Sequence, residues 1–193
     1  MAGKSKRRLA ISATETTLSA LERNWHMVNS ALAGLAEATM ASRPNDQSNS
    51  IGWLLWHMTR VADRFIHTRL MDAPQLWIKD GWHEKFGMAA DPHDFGMGWS
   101  LEQVAAWQSP GKDVLVAYFE AVNSANWDYL RSLTASDLER KIYFPAPPDT
   151  ISIGDALGVL VWDNIAHGGQ IAYLRGYYQG MGWQRERRNP RLI

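Results

Sequence analysis

The sequence predicts an all-α protein built as a four-helix bundle, on three observations. Four long stretches carry apolar residues at the three- and four-residue spacing of an amphipathic helix. Segments rich in proline, asparagine and glycine separate them, and the alternating pattern of a half-buried strand is almost absent. Helices that each bury one stripe are most simply satisfied by packing on one another.

The first helix runs from Thr14 on a stripe of Leu18, Leu21, Trp25, Val28, Leu32 and Leu35, and the cluster SRPNDQSNS (Ser42 to Ser50) breaks it. The second opens at Ser50, whose hydroxyl can accept from an unpaired N–H of the first turn. Its stripe is Ile51, Leu54, Leu55, Met58, Val61, Ala62 and Phe65, ended by Asp72-Ala73-Pro74. Residues 75–99 form a long Trp/Gly-rich loop between helices two and three. Loops of that length inside a domain tend to be functional. Trp77, Trp82, Phe86 and Trp99 predict that this one is ordered and packed over the bundle, since such rings are costly to leave in water. Ser100 caps a short helical piece, and Pro110 starts a third long helix on Val114, Leu115, Tyr118, Ala121, Val122, Ala125, Tyr129 and Leu133. Asp113, Glu120 and Asp128 avoid that stripe and read as solvated charge. Pro145, Pro147 and Pro148 keep Tyr143 to Thr150 out of any helix. The last helix runs from about Ser152 to a glycine stop at Gly180 or Gly182.

A chain of 193 residues suits one domain. The bundle is assigned to residues 13–183, between a basic tail at 1–12 and a C-terminal tail at 184–193. With 20 Lys+Arg against 20 Asp+Glu, the chain lacks the basic excess of a dedicated nucleic-acid binder. No apolar run approaches the roughly 18 residues of a membrane span. The basic opening MAGKSKRRLA is not followed by the apolar stretch of a signal peptide, so the cytoplasm is the expected location, with neither nucleic acid nor membrane as partner. The absence of cysteine excludes disulfides, a thiolate nucleophile and sulfur-ligated zinc from this chain. Any thiol chemistry would use a thiol brought by a co-substrate.

The chemistry is sought where polar residues interrupt apolar stripes. On the last helix, Ala156, Leu160, Asp163, His167, Ile171, Leu174 and Tyr178 share one face, so Asp163 and His167 stand in the middle of an apolar stripe at i and i+4. A buried carboxylate is costly unless paired, hydrogen-bonded or bound to a metal. His57 interrupts the second helix in the same way, between Leu54 and Val61 and flanked by Trp53 and Trp56. One histidine in an apolar stripe is ordinarily a satisfied core residue; His, Asp and His together are of the type that ligates a metal, with a structural polar knot as the alternative. Arg60, Asp63, Arg64 and His67 are expected on a separate polar face, with His67 and His26 at the surface. His83 and His93 lie in the loop, as solvated histidines or as further contacts. Trp53, Trp82 and His83 are the candidate substrate contacts, and the loop, through Trp77, Trp82 and Trp99, is expected to roof the bundle end where His57 and His167 converge.

The segments SIGWLLWHMTRVADRF (Ser50 to Phe65), QLWIKDGWHEKFGM (Gln75 to Met88) and DNIAHGGQIAYLRG (Asp163 to Gly176) resemble the DinB-like superfamily of small bacterial metal-binding bundles, over nearly the whole chain from Thr14 to Gly182. The resemblance implies up-down-down-up topology, a homodimer, and a divalent metal ion such as Zn, Ni, Fe or Mn. Relatives include bacillithiol S-transferases and mycothiol-dependent maleylpyruvate isomerases. One family ligand comes from the second helix and two, at i and i+4, from the last, which implies His57, Asp163 and His167 as the metal set. The family usually has histidine where this chain has Asp163. A two-histidine, one-carboxylate set remains a sound metal site with open positions. The functional expectation is a metalloenzyme acting on a small-molecule substrate, activating a low-molecular-weight thiol for S-transfer or isomerisation. The alternatives are a metal-dependent hydrolase and a non-catalytic metal- or ligand-binding stress protein.

Overall fold

Helix α1 (Ala13–Leu32) buries Val28, Ala31 and Leu32 and half-buries Leu18, Leu21 and Trp25, the stripe read from the sequence. It stops short of Leu35 because Gly34 turns the chain with φ of 66°, and a short α2 (Glu37–Ala41) follows. Leu35 still reaches the core from the turn. This computed structural model describes residues 13–183. The tails expected at 1–12 and 184–193 lie outside the described residues.

Helix α3 (Ile51–Asp63) starts at Ser50, whose side chain accepts from the Trp53 N–H at 3.1 Å. Every residue from Ile51 to Arg60 is buried. The helix is flanked by two others and covered by the long loop, so its all-round apolar character follows from a central position. It continues as a π-helical segment (Arg64–Leu70), in which the Met71 N–H bonds back five residues to the Ile66 carbonyl. The loop contains α4 (Leu76–Lys79) and α5 (Trp82–Lys85). Ser100 and Gln103 form a capping box for α6 (Leu101–Ala106), and α7 (Lys112–Ser132) follows. After α8 (Ala135–Glu139), the proline-rich segment closes a small hairpin, β1 (Lys141–Tyr143) against β2 (Thr150–Ser152), with Ile142 opposite Ile151. The sequence reading had excluded helix there without anticipating strands; three residues a side are too few to show alternation. Helix α9 (Ile153–Gln179) opens on a Ser152/Asp155 capping box.

Contacts at the helix ends fix the topology. Lys112, at the start of α7, donates to the Leu32 and Leu35 carbonyls at the end of α1. Tyr129, late in α7, reaches the Leu70 carbonyl at the end of the π-helical segment. Arg175, late in α9, donates to the Ala33 carbonyl just past α1. Helices α1 and α9 are therefore parallel, α3 and α7 run together against them, and the bundle is up-down-down-up.

One expectation is corrected. Arg60 and Asp63 are fully buried and His67 nearly so, where a solvated polar face was expected. The loop supplies their partners. Asp63 accepts from the Leu76 N–H (2.9 Å), the Trp77 N–H (2.8 Å) and the Tyr118 hydroxyl (2.7 Å), with His67 Nδ1 at 2.9 Å. Arg60 donates to Gln75 Oε1 (2.6 Å) and to the Asp91 and Asp94 carbonyls (both 3.0 Å), and its guanidinium lies 4.5 Å from the Trp77 ring centre. Burial, and then the neighbouring Asp63, push the Tyr118 phenol well above its ordinary range, which keeps it a donor. A buried charge without partners costs several kcal/mol; here these bonds offset that cost and clamp the loop to α3.

Candidate metal centre

His57 projects from the middle of α3 and Asp163 and His167 from the middle of α9, so the three meet midway along the bundle rather than at its end. One nitrogen or oxygen from each lies within 4.8 Å of the others. His167 Nε2 is 3.5 Å from Asp163 Oδ1, and the two imidazole rings meet edge to face with centres 4.7 Å apart. Ligands around an ion about 2.1 Å away are roughly 3–3.5 Å apart, so the set closes on a metal with side-chain shifts on the order of an ångström.

Each imidazole is oriented by its other nitrogen. His57 Nδ1 is in a short hydrogen bond with the Phe95 carbonyl, and its ring stacks on Trp53 at 4.9 Å and 7°. A carbonyl only accepts, so Nδ1 carries the proton and Nε2 keeps its lone pair. His167 Nδ1 pairs with Gln170 Oε1 at 2.8 Å, with the same consequence. This is the arrangement in which an outer partner fixes the tautomer of a metal-ligating histidine. Asp163 Oδ2 is buried without a hydrogen-bond partner among the described residues. An orphaned buried carboxylate oxygen beside the Nε2 lone pair of His57, with His167 Nε2 turned toward the same carboxylate, is a donor set that fits a divalent cation.

The electrostatics agree. Burial lowers the pKa of His57, with protonated His167 opposing its charge further; the Phe95 carbonyl and Asp163 offset this only in part, so its neutral form is favoured. For His167, burial is the largest single effect and acts downward, but hydrogen bonding to Asp163 and Gln170 together with the Asp163 charge outweighs it, and its pKa is raised.

Two glycines allow this geometry. Gly96 has φ of 83°, and a Cβ there would stand 2.6 Å from Trp53 Cζ2, so only glycine lets the chain carry the Phe95 carbonyl against His57. A Cβ on Gly168 would lie 2.0 Å from Asn24 Oδ1; its absence lets α1 approach α9, where Asn24 Nδ2 donates to the Asn164 carbonyl at 2.9 Å.

The other expected contacts separate. Trp53 is at the site, under His57. Trp82 packs on Tyr118 with ring centres 5.2 Å apart, and His83 Nδ1 pairs with the Trp77 carbonyl at 3.0 Å; neither lines the cavity beside His57, Asp163 and His167. Of the loop's expected roof, Trp99 packs on Trp53 and Trp56, whereas Trp77 and Trp82 cover Tyr118 on the α7 side. Phe95 closes the site instead. His26 and His93 are exposed, away from it. The cavity itself, about 640 Å³, lies between the π-helical segment, α9 and the hairpin turn.

Residues 20–171 match the DinB superfamily. The chain belongs to that superfamily. Among solved structures it is similar to a conserved protein from Enterococcus faecalis, at 25% identity with a TM-score of 0.79, covering 89% of this chain and 100% of the other. It also shares its fold with YfiT from Bacillus subtilis, at 20% identity with a TM-score of 0.58, covering 93% and 96%. YfiT is described as a probable metal-dependent hydrolase with an unusual four-helix bundle topology. No curated protein matches the chain. No helix among the described residues is long and apolar enough to cross a membrane.

Proposed function

We propose that the protein is a divalent-metal-dependent enzyme that activates a small nucleophile, with the ion held by His57, Asp163 and His167. The observation that carries this reading is the unsatisfied donor set, above all the buried, partnerless Oδ2 of Asp163. Bound there, the ion would supply a Lewis acid that favours the anionic form of a thiol or water in its open positions. Phe95 and Gln170 hold the imidazoles with Nε2 forward, and Trp53 keeps water from one face of His57. The neighbouring cavity leaves room for a substrate beside the ligands.

The finer reading is activation of a low-molecular-weight thiol for S-transfer or isomerisation. The chain has no cysteine, so the sulfur would come from the co-substrate. The second reading is hydrolysis, favoured by the description of YfiT and by the carboxylate in the ligand set. Cobalt-substituted protein separates them. A thiol co-substrate produces a sulfur-to-metal charge-transfer band, whereas in a hydrolase thiols act as inhibitors of ester or amide turnover. Purified protein that carries no divalent metal and takes up none on titration rules out both.

The proposed partner for the outer face of α9 is a second copy of the chain. Trp162, Tyr173 and Tyr177 project there, exposed at 71%, 73% and 60%. Light scattering is expected to give twice the 21.8 kDa chain mass; the monomer mass at all concentrations rejects the dimer.

A further inference from the structure

The cavity beside the ligands contains two guanidiniums that the metal does not use. Arg64 and Arg69 both line it, half-buried. Neither has a carboxylate or hydrogen-bond partner among the described residues, in contrast to Arg60 one turn earlier, which has four hydrogen bonds. Each lies against aromatic faces instead. Arg64 is 4.7 Å from the centre of Phe95, and Arg69 lies between Phe65 and Phe144 at 5.3 and 5.2 Å. Stacking of this kind holds a guanidinium in place while leaving its N–H edge free to donate.

The π-helical segment brings the two together. In an α-helix, residues five apart point about 140° away from one another. The i to i+5 bonding of a π-helix brings them back to the same side of the helix. In an unbroken α-helix the cavity-facing series His57, Val61, Arg64 would continue to Thr68; here Thr68 is exposed and Arg69 faces the cavity. Burial is the main cause lowering the pKa of both groups; the charge of Arg60 adds to it at Arg64, and the charge of Arg64 adds to it at Arg69.

We infer that Arg64 and Arg69 form an oxyanion-binding subsite, and that the ligand is a small organic acid, a carboxylate or phosphate ester, with an apolar body. Among the described residues, Asp163 is the only carboxylate lining the cavity, and it is engaged with His167. Two guanidiniums therefore stand without a counter-charge, and a divalent ion would add to the imbalance. The remaining wall is largely apolar, with Met97, Phe144, Pro145 and Val159 available to the ligand's body. The head would take charge-assisted, bidentate hydrogen bonds from the arginines, which places the body against that wall and alongside the ligand set. The inference deepens the proposed metalloenzyme by naming its substrate class, but it rests on the arginines and can fail separately.

Calorimetric titration of the full-length protein tests it, with 4-phenylbutyrate, phenyl phosphate and 4-phenylbutanol as probes, each run on chelator-treated and on zinc-supplemented samples. At least one acid is expected to bind about tenfold or more tightly than the alcohol, in both samples, and more weakly as salt rises. Which acid binds distinguishes carboxylate from phosphate. Arg64→Gln and Arg69→Gln are each expected to lower that affinity about tenfold, with zinc stoichiometry unchanged. Equal binding of acid and alcohol by the wild-type protein overturns the inference without reference to any variant, and so does undiminished acid binding in both folded variants. Acid binding that persists in protein unable to hold zinc supports the subsite while rejecting the metal centre.

Discussion

Two polar clusters share helix α3 and its continuation, and they differ in what their atoms have left to do. Around Asp63, almost every donor and acceptor is spent: its carboxylate receives two loop N–H groups and a phenol, and Arg60 is saturated by loop carbonyls and Gln75. Around His57, the outer nitrogens are tied down, the inner nitrogen of His167 faces only Asp163 Oδ1 at 3.5 Å, and Asp163 Oδ2 has no hydrogen-bond partner among the described residues. Both clusters are polar groups inside an apolar bundle. Saturation marks the first as a structural clamp, and its absence marks the second as a place for a ligand. Burial alone would not have separated them.

The sharpest way to break this distinction is to remove one carboxylate from each. Asp63→Ala leaves Tyr118 and two backbone N–H groups without their buried acceptor and Arg60, 3.9 Å away, without its counter-charge, and is expected to cost about 3–5 kcal/mol in urea or thermal unfolding. Asp163→Ala removes one oxygen that lacks a partner and one that meets only His167 at 3.5 Å, so metal-free stability should move by about 1 kcal/mol or less while stoichiometric metal is lost. His57→Ala and His167→Ala should lose metal in the same way with helicity retained by circular dichroism. If Asp163→Ala unfolds the protein as readily as Asp63→Ala, the contrast between the clusters is wrong.

The same contrast accounts for what was legible in the sequence. The helix stripes, the Ser50 and Ser100 caps and the grouping of His57, Asp163 and His167 could be read because each depends on spacing within one helix, or on a residue type that is costly where the stripe places it. The saturated cluster was misread as a solvated face. Arg60, Asp63 and His67 satisfy a polar-face spacing, and the groups that bury them come from the loop, mostly as backbone atoms that carry no sequence signature. A signal did exist: Ile51 to Met58 is apolar on all sides, which describes a helix surrounded on every face. The role of Phe95 was illegible because it acts through its carbonyl, and the π-helical turn because nothing in RFIHTRL distinguishes i+5 from i+4 bonding.

A smaller effect should join the two clusters. The loop that Arg60 holds also carries Phe95, so loop and metal site are linked through Gly96. Gly96→Ala forces a side chain onto a backbone with positive φ and against Trp53, costing about 1–2 kcal/mol from the backbone alone. By displacing the carbonyl that orients His57, it should weaken metal binding about 10–100-fold, as loss of an outer-shell partner does. Unchanged metal affinity in a destabilised Gly96→Ala would show that the Phe95 contact is incidental.

The smallest expected effect is in the metal-free protein, and it concerns pH. His167 has a raised pKa in the folded state, so the stability it contributes is fully present below its ordinary value of 6.5 and is lost as pH rises through the raised value. His57 has a lowered pKa, so burying it neutral favours the fold at higher pH, and that contribution is lost as pH falls from 6.5 through the lowered value. In metal-free protein the two contributions fall away on opposite sides of 6.5, so on their account the melting temperature should be highest near that pH and decline to either side. With metal bound they act together, because each imidazole must be neutral to ligate. Protons should compete first at His167, whose pKa is raised, and at His57 only in more acid solution, so metal affinity should fall with a slope of one proton and then two. Melting curves with and without metal, together with metal titrations across the same pH series, measure both behaviours. His167→Ala should remove the upper step while leaving the acid-side slope of the metal-free protein in place. An identical pH dependence with and without metal would mean that the histidines titrate without regard to the ion, and His57 and His167 would then belong with Asp63, among the groups whose work ends with the fold.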